Sequence, residues 1–206
     1  MCWTFSLKYP QAKWLEKLTE RGVRERARQL YEQLDQLEGW VAAGRRQMLA
    51  ESRRQPAKKN LQLIPTLGEI SVAQLIATVD TPHRFRSKRQ LWSYSGFALE
   101  THASGEYRVV GGELQRKRKA PQVRGLNVNH NRGLKEVFKG AATQASSSPR
   151  GGVLYEFYRG LLAKGLQPEM ARLTLARKIA TLVLTLWKKG EEFNAELVKN
   201  QASLSA

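Results

Sequence analysis

The sequence predicts a mainly α protein: a long, coiled-coil-like N-terminal helix, then a helix-hairpin-helix-like helical domain carrying one small β-hairpin. Three observations carry this. Apolar residues recur at helical spacing along most of the 206 residues. Gly and Pro interrupt that period at a few places only. Short runs take the form of a two-residue hairpin around Gly111-Gly112. Hydrophobic residues make up 41% and charged residues 26%, which is enough apolar material for a core and excludes a disordered chain.

From Trp14 to about Glu51 the chain reads as helix. Val23, Ala27, Leu30, Leu34, Leu37 and Val41 follow a 4-3-4-3-4 spacing, with charged and Gln residues between them. This is either a coiled-coil seam, whose role is assembly, or the inner face of an amphipathic helix packed on its own domain. Residues 52–60 are polar, basic and broken by Pro56, and read as a linker. The expected domains are therefore 11–55, the coiled-coil-like segment, and 61–195.

Residues 61–80 hold two short apolar helices around Ile64-Pro65-Thr66-Leu67-Gly68, with Ser71 as the expected cap of the second. A helix-hairpin-helix turn uses glycines here to aim backbone N–H groups at a phosphate. Gly68 is in place and Thr66 holds the first glycine position, so a plain helical corner is the other reading. Pro82-His83-Arg84-Phe85-Arg86-Ser87-Lys88-Arg89 then sets Arg84, Arg86, Lys88 and Arg89 around one aromatic, ahead of an apolar helix ending near Gly96. Cations opening a helix oppose its dipole, whereas contact with phosphates explains them.

Residues 101–119 form a polar loop, Thr101-His102-Ala103-Ser104-Gly105, followed by the hairpin and the run Arg116-Lys117-Arg118-Lys119. Arg108, Arg116 and Lys117 are expected to converge across the hairpin. Residues 126–190 read as helices: an apolar face through Leu134, Phe138 and Ala145, a flexible break at 146–152, a stripe through Leu154 and Leu161, and a last helix. Pro168 opens that helix, and its core face runs through Met170, Leu173, Ile179, Val183 and Leu186.

The charge is +17, from 35 Lys+Arg against 18 Asp+Glu, and it is spread along the whole chain: residues 1–60, 61–140 and 141–206 carry +6, +7 and +4. A distributed excess suits a broad surface following a phosphate backbone, so DNA or another nucleic acid is the expected partner. Cys2 is the single cysteine, the histidines are His83, His102 and His130, and Asp35 and Asp80 are the only aspartates. That inventory excludes a disulfide framework and a Cys/His zinc site, and gives no acidic cluster for a two-metal centre. No metal ligand or cofactor is expected in this chain. Residues 179–187 are the longest apolar run and too short to span a bilayer. The N-terminus lacks the pattern of a signal peptide, so a cytoplasmic protein without membrane contact is expected.

Several stretches, in order, resemble one family: Ile64-Pro65-Thr66-Leu67-Gly68, Arg84-Phe85-Arg86-Ser87-Lys88-Arg89-Gln90-Leu91-Trp92-Ser93-Tyr94-Ser95-Gly96, the Ser104-Gly105 loop with its Gly-Gly hairpin, and Ala176-Arg177-Lys178-Ile179-Ala180 followed by Trp187-Lys188-Lys189-Gly190. They look like the C-terminal part of the insertion-sequence-110 (116/110/902) transposases. The resemblance implies a recombinase guided by a structured RNA, in which an N-terminal RuvC-like domain with acidic Mg²⁺ ligands works with a C-terminal domain carrying a nucleophilic serine. By position in the motif that serine is Ser104. The acidic domain is not in this sequence, so the chain reads as a truncated copy. The function expected is DNA transposition by serine-type strand transfer in a homo-oligomer. The alternative is a non-catalytic nucleic-acid-binding or dimerisation module.

A serine hydroxyl needs a base and a stabiliser for charge growing on the phosphate. Arg108, Arg116 and Lys117 are the candidate stabilisers. His102 and Glu106 are the nearest candidate bases, and a Ser-Gly pair is also ordinary turn chemistry.

Overall fold

The computed structural model describes residues 11–102, 107–116, 122–196 and 198. Among them the chain is mainly helical and forms two compact units, residues 1–54 and 55–206.

The first unit holds α1 (Gln11–Glu16) and α2 (Arg21–Arg53). The single helix expected from Trp14 onward is thus two, broken after Glu16, and Arg24 donates to the Leu18 carbonyl at 2.8 and 2.6 Å across the break. The 33-residue α2 runs without interruption through Gly44 and is about 50 Å long at 1.5 Å per residue. Leu30, Leu37 and Val41 are 59%, 52% and 62% exposed among the described residues.

The second unit is built around its last helix. It contains α3 (Ala57–Gln62), α4 (Glu69–Val79), a 3₁₀ turn (Pro82–Arg84), α5 (Lys88–Tyr94), β1 (Leu99–His102), β2 (Tyr107–Val110), β3 (Glu113–Arg116), β4 (Gln122–Leu126), α6 (Arg132–Ser147), a second 3₁₀ turn (Pro149–Gly151), α7 (Val153–Ala163) and α8 (Pro168–Lys189). In α8 the run Ile179, Ala180, Thr181, Leu182, Val183, Leu184 is buried on every side, the mark of a helix inside a core. It packs against α3, α5, α6 and α7. Leu61, Ile64, Leu75, Leu91, Phe138 and Leu154 close that core from the other elements.

Polar stitches hold α8 in register. Trp92 Nε1 donates to the Arg177 carbonyl at 3.0 Å, the Arg177 guanidinium donates twice to the Phe97 carbonyl, and Asn60 Nδ2 donates to the Gly190 carbonyl at 2.8 Å. The Phe97 and Gly190 carbonyls lie outside the helices, while the Arg177 carbonyl lies inside α8 and also accepts from Thr181 Oγ1 at 2.8 Å.

Several expectations are corrected. Asn127 pairs back to the Ala98 carbonyl and β1 pairs antiparallel with β4, so there are two small strand pairs rather than one hairpin. Residues 126–131 are strand end and turn, and the helices begin at Arg132. Gly68 rather than Ser71 is the N-cap of α4. The break expected at 146–152 is ordered: Ser148 Oγ accepts from Arg150 N–H and caps the second 3₁₀ turn. Residues 57–60 of the expected linker belong to α3. Met170 is 53% exposed and lies off the core face of α8.

The Ile64–Gly68 turn explains its own sequence. Thr66 adopts φ +72, the left-handed conformation for which a glycine is the usual residue. A β-branched side chain there is strained by about 1–2 kcal/mol, and its buried Oγ1 has no hydrogen-bond partner among the described residues. Thr66 thus takes a positive φ at the position where a helix-hairpin-helix turn would place its first glycine. Lys58, buried in α3, pairs with Glu69 of α4 at 2.7 Å and ties the two helices below the turn.

Candidate nucleic-acid interface

The cations at 84–89 are sorted by the local fold. Thr81 and Pro82 start the 3₁₀ turn, and buried Phe85 anchors its end, its ring 5.5 Å from that of Tyr94. Arg84 lies 4.8 Å over Tyr94, and Lys88 lies 5.7 Å over Trp92, so both heads rest on aromatic faces. Gln90 Oε1 accepts the Arg86 N–H at 2.6 Å, closing the first turn of α5 from within. The Arg86 and Arg89 side chains are exposed and make no ion pair among the described residues. One edge of the domain thus presents two free guanidiniums beside two cations stacked on aromatic rings.

Three further cations of α8 lie behind this edge. Burial lowers Arg177, whose guanidinium is committed to the Phe97 carbonyl. Burial, and then the charge of Lys88, pushes Lys178 down to about 8. Lys178 donates to the Val198 carbonyl at 3.2 Å and lies 5.5 Å over Phe157. Lys188 donates to the Phe85 carbonyl. These groups hold the edge in place from beneath; the sequence offered only their motif as a signal.

The hairpin is a regular antiparallel ribbon. Gly111 and Gly112, at φ +62 and +86, form its turn, and Tyr107 pairs with Arg116, Arg108 with Gln115 and Val109 with Leu114. The side chains of Arg108 and Arg116, expected to converge across the hairpin, lie outside the described residues. Ser104, Lys117, Arg118 and Lys119 lie outside the described residues, as do the alternative base Glu106 and the side chain of His102. Gly68 is exposed with extended backbone at the start of α4, beside Glu69.

Between α6 and α8 lies a cleft for which the sequence carries little signal. It measures about 390 Å³ and is lined by Phe97, Leu126, Ala142, Leu173 and Ala176, with Lys135, Lys139, Thr143, Glu169 and Arg172 at its edges. Sequence reasoning assigned both helices to the core alone. The only signal was the i, i+4 pair Lys135 and Lys139 on α6.

Among the described residues no three His, Cys, Asp or Glu side chains come together to hold a metal ion. Nor is any helix there long and apolar enough to cross a membrane.

Fold and surface together define a basic helical domain with cations set among aromatics around a helix-hairpin-helix-like turn. Residues 58–129 match the family model described as Transposase IS116/IS110/IS902 family. The match supports DNA transposition in general, with DNA as the substrate it implies. No curated protein matches the chain.

Proposed function

We propose that the chain binds DNA through the edge formed by Arg84, Arg86, Lys88 and Arg89, together with Arg108 and the basic run at 116–119, and serves serine-type strand transfer in transposition. The observation that carries this reading is the exposed Arg86–Arg89 edge inside the stretch that matches the transposase family. In this scheme Ser104 Oγ attacks a backbone phosphorus, the displaced deoxyribose oxygen leaves with a proton, and a hydroxyl of the second strand later releases the serine. A structured guide RNA selects the target, and Mg²⁺ belongs to acidic ligands of a RuvC-like domain outside this sequence. The protein works in the cytoplasm, where its DNA is.

Binding to a duplex should weaken steeply with salt, because each neutralised phosphate releases counterions. Arg86→Ala with Arg89→Ala should lower the affinity and flatten the slope by about two contacts' worth. A mobility-shift titration across a salt series checks this. A salt-independent affinity, or no binding at low salt, overturns the reading.

The exposed seam of α2 supports assembly through a coiled coil with a second copy of this chain. Sedimentation should show an oligomer that Leu30→Glu with Leu37→Glu converts to monomer, with helical content of residues 55–206 kept. A monomer before mutation removes the oligomer from the scheme.

A further inference from the structure

The α6–α8 cleft has chemistry that the core of a helical domain does not need. Its floor is apolar, formed by Phe97, Leu126, Leu173 and Ala176, and its edge carries Lys135, Lys139 and Arg172 with a single carboxylate, Glu169. Among the described residues none of these four charged side chains forms an ion pair. Solvent-facing cations along the edge of an apolar floor match an anion with an apolar body. A volume of about 390 Å³ is at the lower end of small-molecule pockets and suits one nucleotide rather than a peptide helix.

We propose that this cleft receives one unstacked nucleotide of a single-stranded nucleic acid. The base lies on Leu126 and Leu173, its flanking phosphates meet Lys135, Lys139 and Arg172, and Glu169 accepts from an exocyclic amine. Each part answers a feature of the site. Single strands are held by cations that follow the backbone and by surfaces that take up the exposed base. A carboxylate among cations reads an amino group, as glutamate does toward cytosine N4. A duplex cannot enter, since its bases are stacked and paired. The inference rests on the nucleic-acid reading above and adds which form of nucleic acid this second site takes.

The test uses the full chain and a single-stranded oligonucleotide with one central 2-aminopurine, whose emission rises when the base leaves its stacked neighbours. Binding should raise the emission several-fold. Thr143→Phe, which places a ring at the exposed rim of the cleft, and Lys135→Ala with Lys139→Ala should each remove most of that rise. Duplex binding, followed separately by mobility shift, should be kept by Thr143→Phe. Duplex binding without any rise in emission overturns the cleft and leaves the DNA-binding edge standing. So does a rise that all the variants keep. Loss of duplex binding in the unmodified chain at every salt concentration overturns both readings.

Discussion

Gly96→Ala is expected to cost the second unit about 3 kcal/mol or more. Gly96 sits at φ +72, where an L side chain costs about 1–2 kcal/mol. A methyl there would also lie 2.5 Å from His130 Cγ and within 3 Å of two further ring atoms. The ring cannot simply turn away, because its Nδ1 is bound to the Asn127 carbonyl at 2.8 Å and Asn131 N–H is bound to the Tyr94 carbonyl at 2.8 Å. Forced overpacking of this kind costs roughly 1–3 kcal/mol more. Thermal unfolding should therefore fall by roughly 6–12 °C for a unit of this size. His130→Ala in the Gly96→Ala background should recover the overpacking part and leave the backbone part. An unchanged melting temperature would mean that the turn after α5 is not clamped by the 127–131 segment.

Ser104→Ala should abolish any covalent protein–DNA adduct while leaving DNA affinity within about two-fold, since one hydroxyl is lost and no charge. The assay pairs the chain with an acidic RuvC-like domain and a nicked suicide substrate. Full cleavage by Ser104→Ala would take the serine out of the chemistry and favour a metal-activated water. An adduct absent from both proteins, with binding intact, would favour the non-catalytic module.

Elements whose signal is local were legible in the sequence. The α2 seam repeats over several turns, Pro168 occupies a first-turn position, and Gly111-Gly112 can take the two positive φ values of a tight hairpin. The β1–β4 pair was not, because its register joins His102 to Gln122 across the hairpin and neither strand alternates apolar with polar residues. The ordering of Ser148–Gly151 depends on a capping hydroxyl in a stretch whose composition suggests flexibility. Thr66 hid its left-handed backbone behind a residue type that avoids it. Of the interface, Arg86 and Arg89 could be read as charges, but not that Arg84 and Lys88 lie on rings, since Tyr94 and Trp92 are brought under them by the turn into α5. The cleft had no signature, for its two walls are some thirty residues apart in the chain.

The stitching of α8 bears on how the protein can be made. Trp92 and Phe97 find their partners on Arg177, and Leu61, Ile64 and Leu75 close on a core that α8 completes. On the ribosome, where N-terminal segments emerge first, residues 55–100 have no finished core to join until the last helix is synthesised. The family-matched stretch at 58–129 is therefore a unit of inheritance but not of folding. Excised at its sequence boundaries it would expose Leu61, Leu75 and Leu91 to water, and a soluble fragment for DNA-binding work has to run through Gly190, where Asn60 fastens the end of the helix.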